Sequence, residues 1–469
     1  MEAIERSSAA KLRSRSFRPF LRVIMIGGTL LFCAALNFSY EEWISPVWSY
    51  EGFTFNQPRF SLLVIGYILS GIVCVCSPLR IRRPSQVLYW FLFLTAYIPG
   101  LFIPLYLQLN EASELLALQV SLSLAMLIIA IFCRIELFQI RVYPVNPRLF
   151  WGVILALYLV GHASVLYGFR GNLHLVGIQD VYSVRFPAKE FLRGHAAFGY
   201  ISQFLGFVIN PLLMAYGLRA RLKLFFALGM FGEIALYSTA AGKALILAPV
   251  LLVALYITMK LDRGGWVPKT LFSLSAVFLI LTPFLVKSRP GPLFNLGSVI
   301  LVRTFAVPGA ETGEYQYFFG TGPHTYLSHV SGINLFVADP YLRPLGEEVG
   351  IFFGRKSKFG YANANANLFA MDGIAGFGLV GIPFMGGLCG LVFWGLDSSA
   401  RMCPLAFSIP ALTMIILSIT NVSLFTTLLG NGLFAWIVLF ILMPRNLSCP
   451  PGLGTLTGTR WAKGQGCRS

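Results

Sequence analysis

The stretch Tyr361-Ala-Asn-Ala-Asn-Ala-Asn-Leu-Phe-Ala-Met-Asp372-Gly-Ile-Ala-Gly-Phe-Gly378 closes a polar interval, Lys287 to Phe377, the longest in an otherwise apolar chain. The interval carries Arg289, Arg303, Arg343 and Arg355, and two of the five histidines, His324 and His329. On either side the sequence reads as apolar runs of membrane-spanning length joined by short connections. The expected design is a helical scaffold holding this interval, with one smaller loop, as its working surface.

Composition supports that division. Of 469 residues, 56% are hydrophobic and only 12% are charged, with a mean hydropathy of +0.72. A soluble domain carries about a quarter charged residues, so this chain needs lipid as its solvent. The net charge of +17 follows from the bias of Lys and Arg toward cytoplasmic connections of a polytopic protein, and nucleic acid is not an expected partner. No zinc spacing, P-loop or Rossmann glycine pattern occurs, so neither metal nor cofactor is expected. None of the eight cysteines lies in the long interval, which suits a loop facing an oxidising compartment without a disulfide framework.

The spacing predicts an all-α polytopic membrane protein of about twelve spans. Residues 1–20 form a basic cytoplasmic N terminus. Spans one to nine occupy 21–286: about Leu21–Phe38, Phe60–Pro78, Val87–Leu107, Leu115–Cys133, Leu149–Phe169, Phe198–Gly217, Leu224–Thr239, Ala244–Met259 and Thr270–Val286. The smaller loop covers about 170–197 and the large loop 287–373. Spans ten to twelve follow in 374–443, near Ile374–Leu396, Leu405–Leu424 and Thr426–Met443, with a cytoplasmic tail at 444–469. The Arg/Lys clusters at 80–83, 134–148, 219–223 and 260–269 then share the side of the N terminus, and the two polar loops face the other side.

Few ionisable residues fall inside these spans. Glu233 is the clearest, and a structural ion pair with Lys243 across the short turn Ala240-Ala-Gly-Lys243 is the first expectation. His162 reads as a residue that hydrogen-bonds between helices. The outer loops hold more cations than the orientation rule predicts, and arginine's planar fork suits phosphate oxygens. Arg185 and Arg303 stand alone among apolar and aromatic neighbours and read as ligand residues, whereas Arg355, Lys356 and Lys358 read as head-group anchors. His324 and His329 are candidate bases. Tyr317, Asn363, Asn365 and Asn367 offer a ring face and amides to sugars. Asp372 follows among small residues that permit close helix approach.

Four segments in order carry a resemblance: Asp180-Val-Tyr-Ser-Val-Arg185, Thr239-Ala-Ala-Gly-Lys243, Leu301-Val-Arg303 through Pro308 to Tyr317-Phe-Phe319, and Asn363–Asn367 through Asp372–Gly381. Over about residues 180–385 the chain resembles the Wzy-type O-antigen and oligosaccharide repeat-unit polymerases of bacterial inner membranes. The resemblance implies a GT-C-like, metal-independent glycosyltransferase that joins undecaprenyl-diphosphate-linked oligosaccharides on the periplasmic side, with both termini cytoplasmic. It implies Arg303, Arg185 and Lys243 for the diphosphate, His329, His324 or Asp372 as base or acceptor-orienting group, and a chain-length regulator as a candidate partner. The product it implies is an O-antigen, capsule or exopolysaccharide. An O-antigen ligase is the nearest alternative reading, and a flippase of lipid-linked sugars a more distant one.

Overall fold

A computed structural model describes residues 2–444 apart from 172, 178–180, 241, 263, 289–290, 358–359 and 362. For residues 2–18, 181–183, 186, 189, 193, 356–357 and 360–361 it describes the backbone alone. Asp180, Arg289, Lys358 and nearly all of the tail therefore lie outside the description.

Among the described residues nine helices are long and apolar enough to cross a membrane. They are α1 (Pro19–Glu51), α3 (Pro84–Leu107), α4 (Ala112–Phe132), α5 (Pro147–Gly168), α7 (Ala196–Ala220), α9 (Lys243–Leu261), α10 (Trp266–Val286), α11 (Pro292–Thr321) and α13 (Phe369–Ala400). Shorter helices are α2 (Phe60–Val75), α6 (Val181–Gly194), α8 (Lys223–Ala240), α12 (Leu345–Phe352), α14 (Leu405–Ala411), α15 (Thr413–Ser418) and α16 (Leu433–Leu442). The rest of the described residues are irregular, save a 3-10 turn at Ile333–Leu335, a π-turn at Thr426–Gly430 and a two-residue ribbon pairing Lys356–Ser357 with Gly360–Tyr361.

Eight of the twelve expected spans are thus helices of full length. The second has 16 residues, the seventh is the 18-residue α8, the eleventh is split between α14 and α15, and the twelfth follows a π-turn at Thr426–Gly430. Pro410 and the non-helical Leu412 (φ −85°, ψ 12°) account for the split.

The basic connections at 80–83 and 134–148 meet at one end of the bundle. Arg83 pairs with Glu136 at 2.6 Å, the Arg134 guanidinium donates to Ser77 O, Arg401 meets Gln139, and Tyr143 N–H donates to Ile441 O. Asp397 caps α3 there, accepting from Ser85 N–H at 3.0 Å and Ser85 Oγ–H at 2.6 Å. The opposite end, the loop end, gathers Asn56 with Tyr106, Gln108 with Gln57, and His174 with Ser238.

Two groups of helices can be distinguished. In the first, α3 is enclosed by α2, α4, α11 and α13. Small residues set these approaches: a Cβ on Gly386 would lie 2.9 Å from Ala125 Cβ, and one on Gly309 would lie 2.7 Å from Pro99 O. In the second, α5, α7, α8, α9, α14 and α15 pack together, around contacts such as Trp151–Tyr216.

The largest departure from expectation is α11. The sequence places residues 287–321 at the start of a loop, yet 292–321 form one helical path with a nine-residue π segment, Ser298–Ala306, followed by Pro308. Phe294 packs on Trp43 and Trp48 near the loop end of α1. Phe305 meets Phe32 and Phe278, about three turns deeper. Gln316 then donates to Glu114 O, back at the loop end. The helix therefore dips into the bundle and returns, with the π segment and proline supplying the bend. Arg303, Glu311 and Glu314 disguise this helix in the sequence, because their charges read as loop.

Candidate functional site

The site is assembled where the loop after α11 folds back on the start of α13. Thr325 N–H donates to Ala375 O at 2.8 Å and Tyr326 N–H to Gly376 O at 3.2 Å. The next turn is strained. Tyr326 and Leu327 both adopt left-handed backbone (φ 48° and 66°), a conformation rare outside glycine and asparagine. It delivers His329 to Asp372.

His329 Nε2 lies 3.1 Å from Asp372 Oδ1, and its Nδ1 lies 3.2 Å from Thr325 Oγ1. Asp372 is fully buried, and its second oxygen accepts the Leu424 N–H at 2.6 Å. A buried carboxylate that accepts from a backbone N–H keeps a fixed orientation. It therefore selects the tautomer with hydrogen on Nε2 and leaves the Nδ1 lone pair toward Thr325. Thr325 Oγ1 has one proton and two acceptors in reach, Ala375 O at 3.1 Å and His329 Nδ1 at 3.2 Å. Its hydroxyl occupies the position in which a substrate hydroxyl would present its proton to Nδ1.

The floor beneath this pair comes from the short helices. Because α15 ends at Ser418, the connection to α16 is drawn into the bundle, and Ile419, Thr420, Ser423 and Leu424 are all buried. This recess brings Leu424 N–H under Asp372. A main-chain donor leaves no trace in side-chain pattern, so it is absent from the sequence reading.

A second cluster adjoins the first. Arg355 Nη2 lies 2.5 Å from Glu314 Oε1, and Nη1 lies 3.8 Å from Glu311 Oε1. Burial works to lower the Arg355 pKa, but the two carboxylates outweigh it and hold the guanidinium above its usual range. Arg355 is only 12% exposed in its side chain, so its assignment as a head-group anchor is corrected: it ties the loop to α11. Tyr315, fully buried, donates to Ala364 O at 2.9 Å and links α11 to the Asn-Ala run.

That run is extended, with Ala364 and Ala366 buried and Asn363 and Asn365 exposed. The amide oxygens of Asn363 and Asn365 lie over Gly346, where a Cβ would collide with both. Asn367 differs: it is buried, and its amide oxygen accepts from Phe369 N–H at 3.0 Å and Ala370 N–H, capping α13. Its proposed sugar contact is thus replaced by a cap. Tyr317 is 38% exposed and packs beside Phe352 and Phe353.

The remaining candidates scatter. His324 is half-buried against Gly378, with Nδ1 buried and unpartnered, and has no carboxylate beside it among the described residues. Arg303 is exposed on the π segment of α11 and makes no ion pair among the described residues. Arg185 is exposed on α6, which rests on α8 through Val184 and Tyr237. Lys243 begins α9 and is half-buried. Arg185 and Lys243 therefore belong to the second group of helices, and Arg303 to the first. Glu233 does not follow the expected pairing: its carboxylate lies near Asn210 and Gly206.

Comparison of the chain with family models, with curated proteins and with solved structures returns no match in any of the three.

Proposed function

We propose that the chain is a multi-pass bacterial inner-membrane glycosyltransferase, GT-C-like in architecture, that polymerises undecaprenyl-diphosphate-linked oligosaccharide repeat units at the periplasmic face. The observation that carries the reading is the His329–Asp372 pair, held in a recess beneath the loops with Nδ1 directed at a hydroxyl. Its support from sequence is the ordered set of four segments that resembles the Wzy-type polymerases.

In this reading the acceptor hydroxyl gives its proton to His329 Nδ1 as its oxygen bonds to the anomeric carbon of the second unit. The bond from that carbon to the diphosphate oxygen breaks, and undecaprenyl diphosphate departs with the electron pair. Asp372 orients the imidazole and stabilises the imidazolium that forms. In this reading Arg303 offsets charge on the departing diphosphate, with Arg185 and Lys243, on the other helical group, as further candidates for that role. Asn363 and Asn365 present amides to sugar hydroxyls.

The test is the glycan that accumulates in cells carrying His329→Ala or Arg303→Ala. A polymerase defect leaves single repeat units transferred to the final acceptor, with no long chains. A ligase, the second reading, is favoured by the same loop histidine and would leave finished polymer on the undecaprenyl carrier. Normal chain length in both variants would remove the proposal.

A further inference from the structure

We propose that the loop 331–343 docks on the bilayer surface at the loop end of the bundle, with Leu335, Phe336 and Leu342 buried among lipid head groups and the first acyl carbons. The inference needs only that the loop end of a spanning bundle meets a lipid surface, and it stands apart from the glycosyltransferase reading.

The three most exposed large apolar side chains among the described residues all lie in this loop: Leu335 at 81%, Phe336 at 89% and Leu342 at 102%. Each is barer than the outward residues of the spanning helices, such as Val250 and Ile280. Their exposure is not slack in the chain. Ile333–Leu335 is a 3-10 turn, and the N–H groups of Phe336 and Val337 both donate to Ile333 O, at 2.9 and 3.1 Å. Both ends of the loop are rooted. Val330 N–H donates to Leu327 O at 2.9 Å, and the Tyr341 hydroxyl donates to Pro323 O at 2.8 Å. No charge occurs from Val330 to Ala338. A concentrated apolar patch of this kind marks an interaction surface.

The position of the loop identifies what covers it. The Tyr341 ring packs on Phe318 and Phe319, in the last turn of α11. Just before them, Gln316 donates to Glu114 O in the first turn of α4. The base of the loop therefore sits at the level where spanning helices end. It also sits at the rim. Tyr326 meets Phe377 at 6.0 Å and Phe377 meets Phe384 at 5.5 Å, and all three rings are exposed. Phe384 and Leu391 lie two turns apart on the straight part of α13 (Gly381–Ala400), and both are exposed. A spanning helix presents such a face to lipid. The chain of rings thus runs from a lipid-facing wall up to the loop base.

Apolar and aromatic groups held at that height partition into the interface. Arg343, exposed beside Leu342, adds a cation whose stem lies along apolar surface while its head reaches lipid phosphate. Only Val330 separates His329 from this loop, so docking fixes one wall of the His329–Asp372 recess against the bilayer.

The test uses the full chain, freed of its native cysteines, in nanodiscs of phosphatidylethanolamine and phosphatidylglycerol. A nitroxide is attached through Leu335→Cys, Phe336→Cys or Leu342→Cys, positions whose exposure means that the label disturbs no core packing. Leu391→Cys, on the outer face of α13, gives the lipid reference. Oxygen, which concentrates in lipid, is expected to relax each loop label more than a water-soluble nickel chelate does, as at Leu391→Cys. A preference for the nickel chelate at any of the three positions places the loop in water and overturns the proposal. Protection from both reagents also overturns it, because the cover would then be protein, from a second copy or from the chain itself.

Discussion

Replacing Asp372 with asparagine preserves shape and burial but reverses the hydrogen-bond logic of the site. The side chain makes two contacts, Oδ2 with Leu424 N–H at 2.6 Å and Oδ1 with His329 Nε2 at 3.1 Å. An asparagine must keep its oxygen toward Leu424, since a backbone N–H cannot accept. Its NH₂ then faces Nε2 and forces the hydrogen of His329 onto Nδ1, the atom proposed to receive the acceptor's proton. General base action contributes roughly 10²- to 10⁴-fold in rate, and most of that is expected to vanish. Stability should change little, because the Leu424 contact survives and a hydrogen bond to a charged group is worth about 1.5–3 kcal/mol at most. The assay is single-turnover coupling of lipid-linked repeat units by purified protein, read beside a thermal melt. His329→Ala should cost about as much, and the double variant little more, since the two act as a unit. A rate for Asp372→Asn within threefold of wild type, with an unchanged melt, would refute the reasoning.

Three further outcomes follow from the packing. Arg355→Ala strands Glu311 and Glu314 in the interior and should cost about 3–5 kcal/mol; changing both glutamates to glutamine in that background should recover part of the lost melting temperature. Gly346→Ala places a methyl against the Asn363 and Asn365 amides and should weaken acceptor binding, seen as a raised KM with little change in the melt. Asn367→Ala removes the cap on α13 and should lower stability by ~1 kcal/mol while KM holds.

Much of the scaffold was legible because spanning helices announce themselves by length and apolarity. Eight expected spans are full-length helices, seven of them within about five residues of their expected bounds, while the first runs on past Phe38 to Glu51. What misled was charge. Glu311 and Glu314 read as loop because nothing in a one-dimensional pattern shows Arg355, some forty residues on, arriving to meet them. The histidines were equivalent in sequence, and only the fold separates them, by giving Asp372 to His329 and leaving His324 against Gly378. The same limit hid the surroundings of Glu233, whose neighbour Asn210 lies 23 residues earlier in the chain. The alternation in the Asn-Ala run was the one local signal that carried over directly: period two in sequence became alanine in and asparagine out at 363–366.

The path of α11 bears on the whole topology, and it can be decided by labelling. A straight helix from Phe294 to Gln316 would cover about 33 Å, enough to cross a hydrocarbon core of about 30 Å. If it crossed, every later segment would reverse its side. The contacts oppose this. Ser398 Oγ accepts from Ile140 N–H at 2.7 Å, and Tyr143 N–H donates to Ile441 O at 2.9 Å. The far end of α13 and the end of α16 therefore share the basic end with the connection after α4, as they must if α11 only dips. Single cysteines introduced at Ser288 and Gly322, in a chain otherwise freed of cysteine, should both react with a membrane-impermeant maleimide in intact spheroplasts. A label on one and not the other would mean that α11 crosses, and the recess holding His329 and Asp372 would then open to the opposite compartment from its first flank.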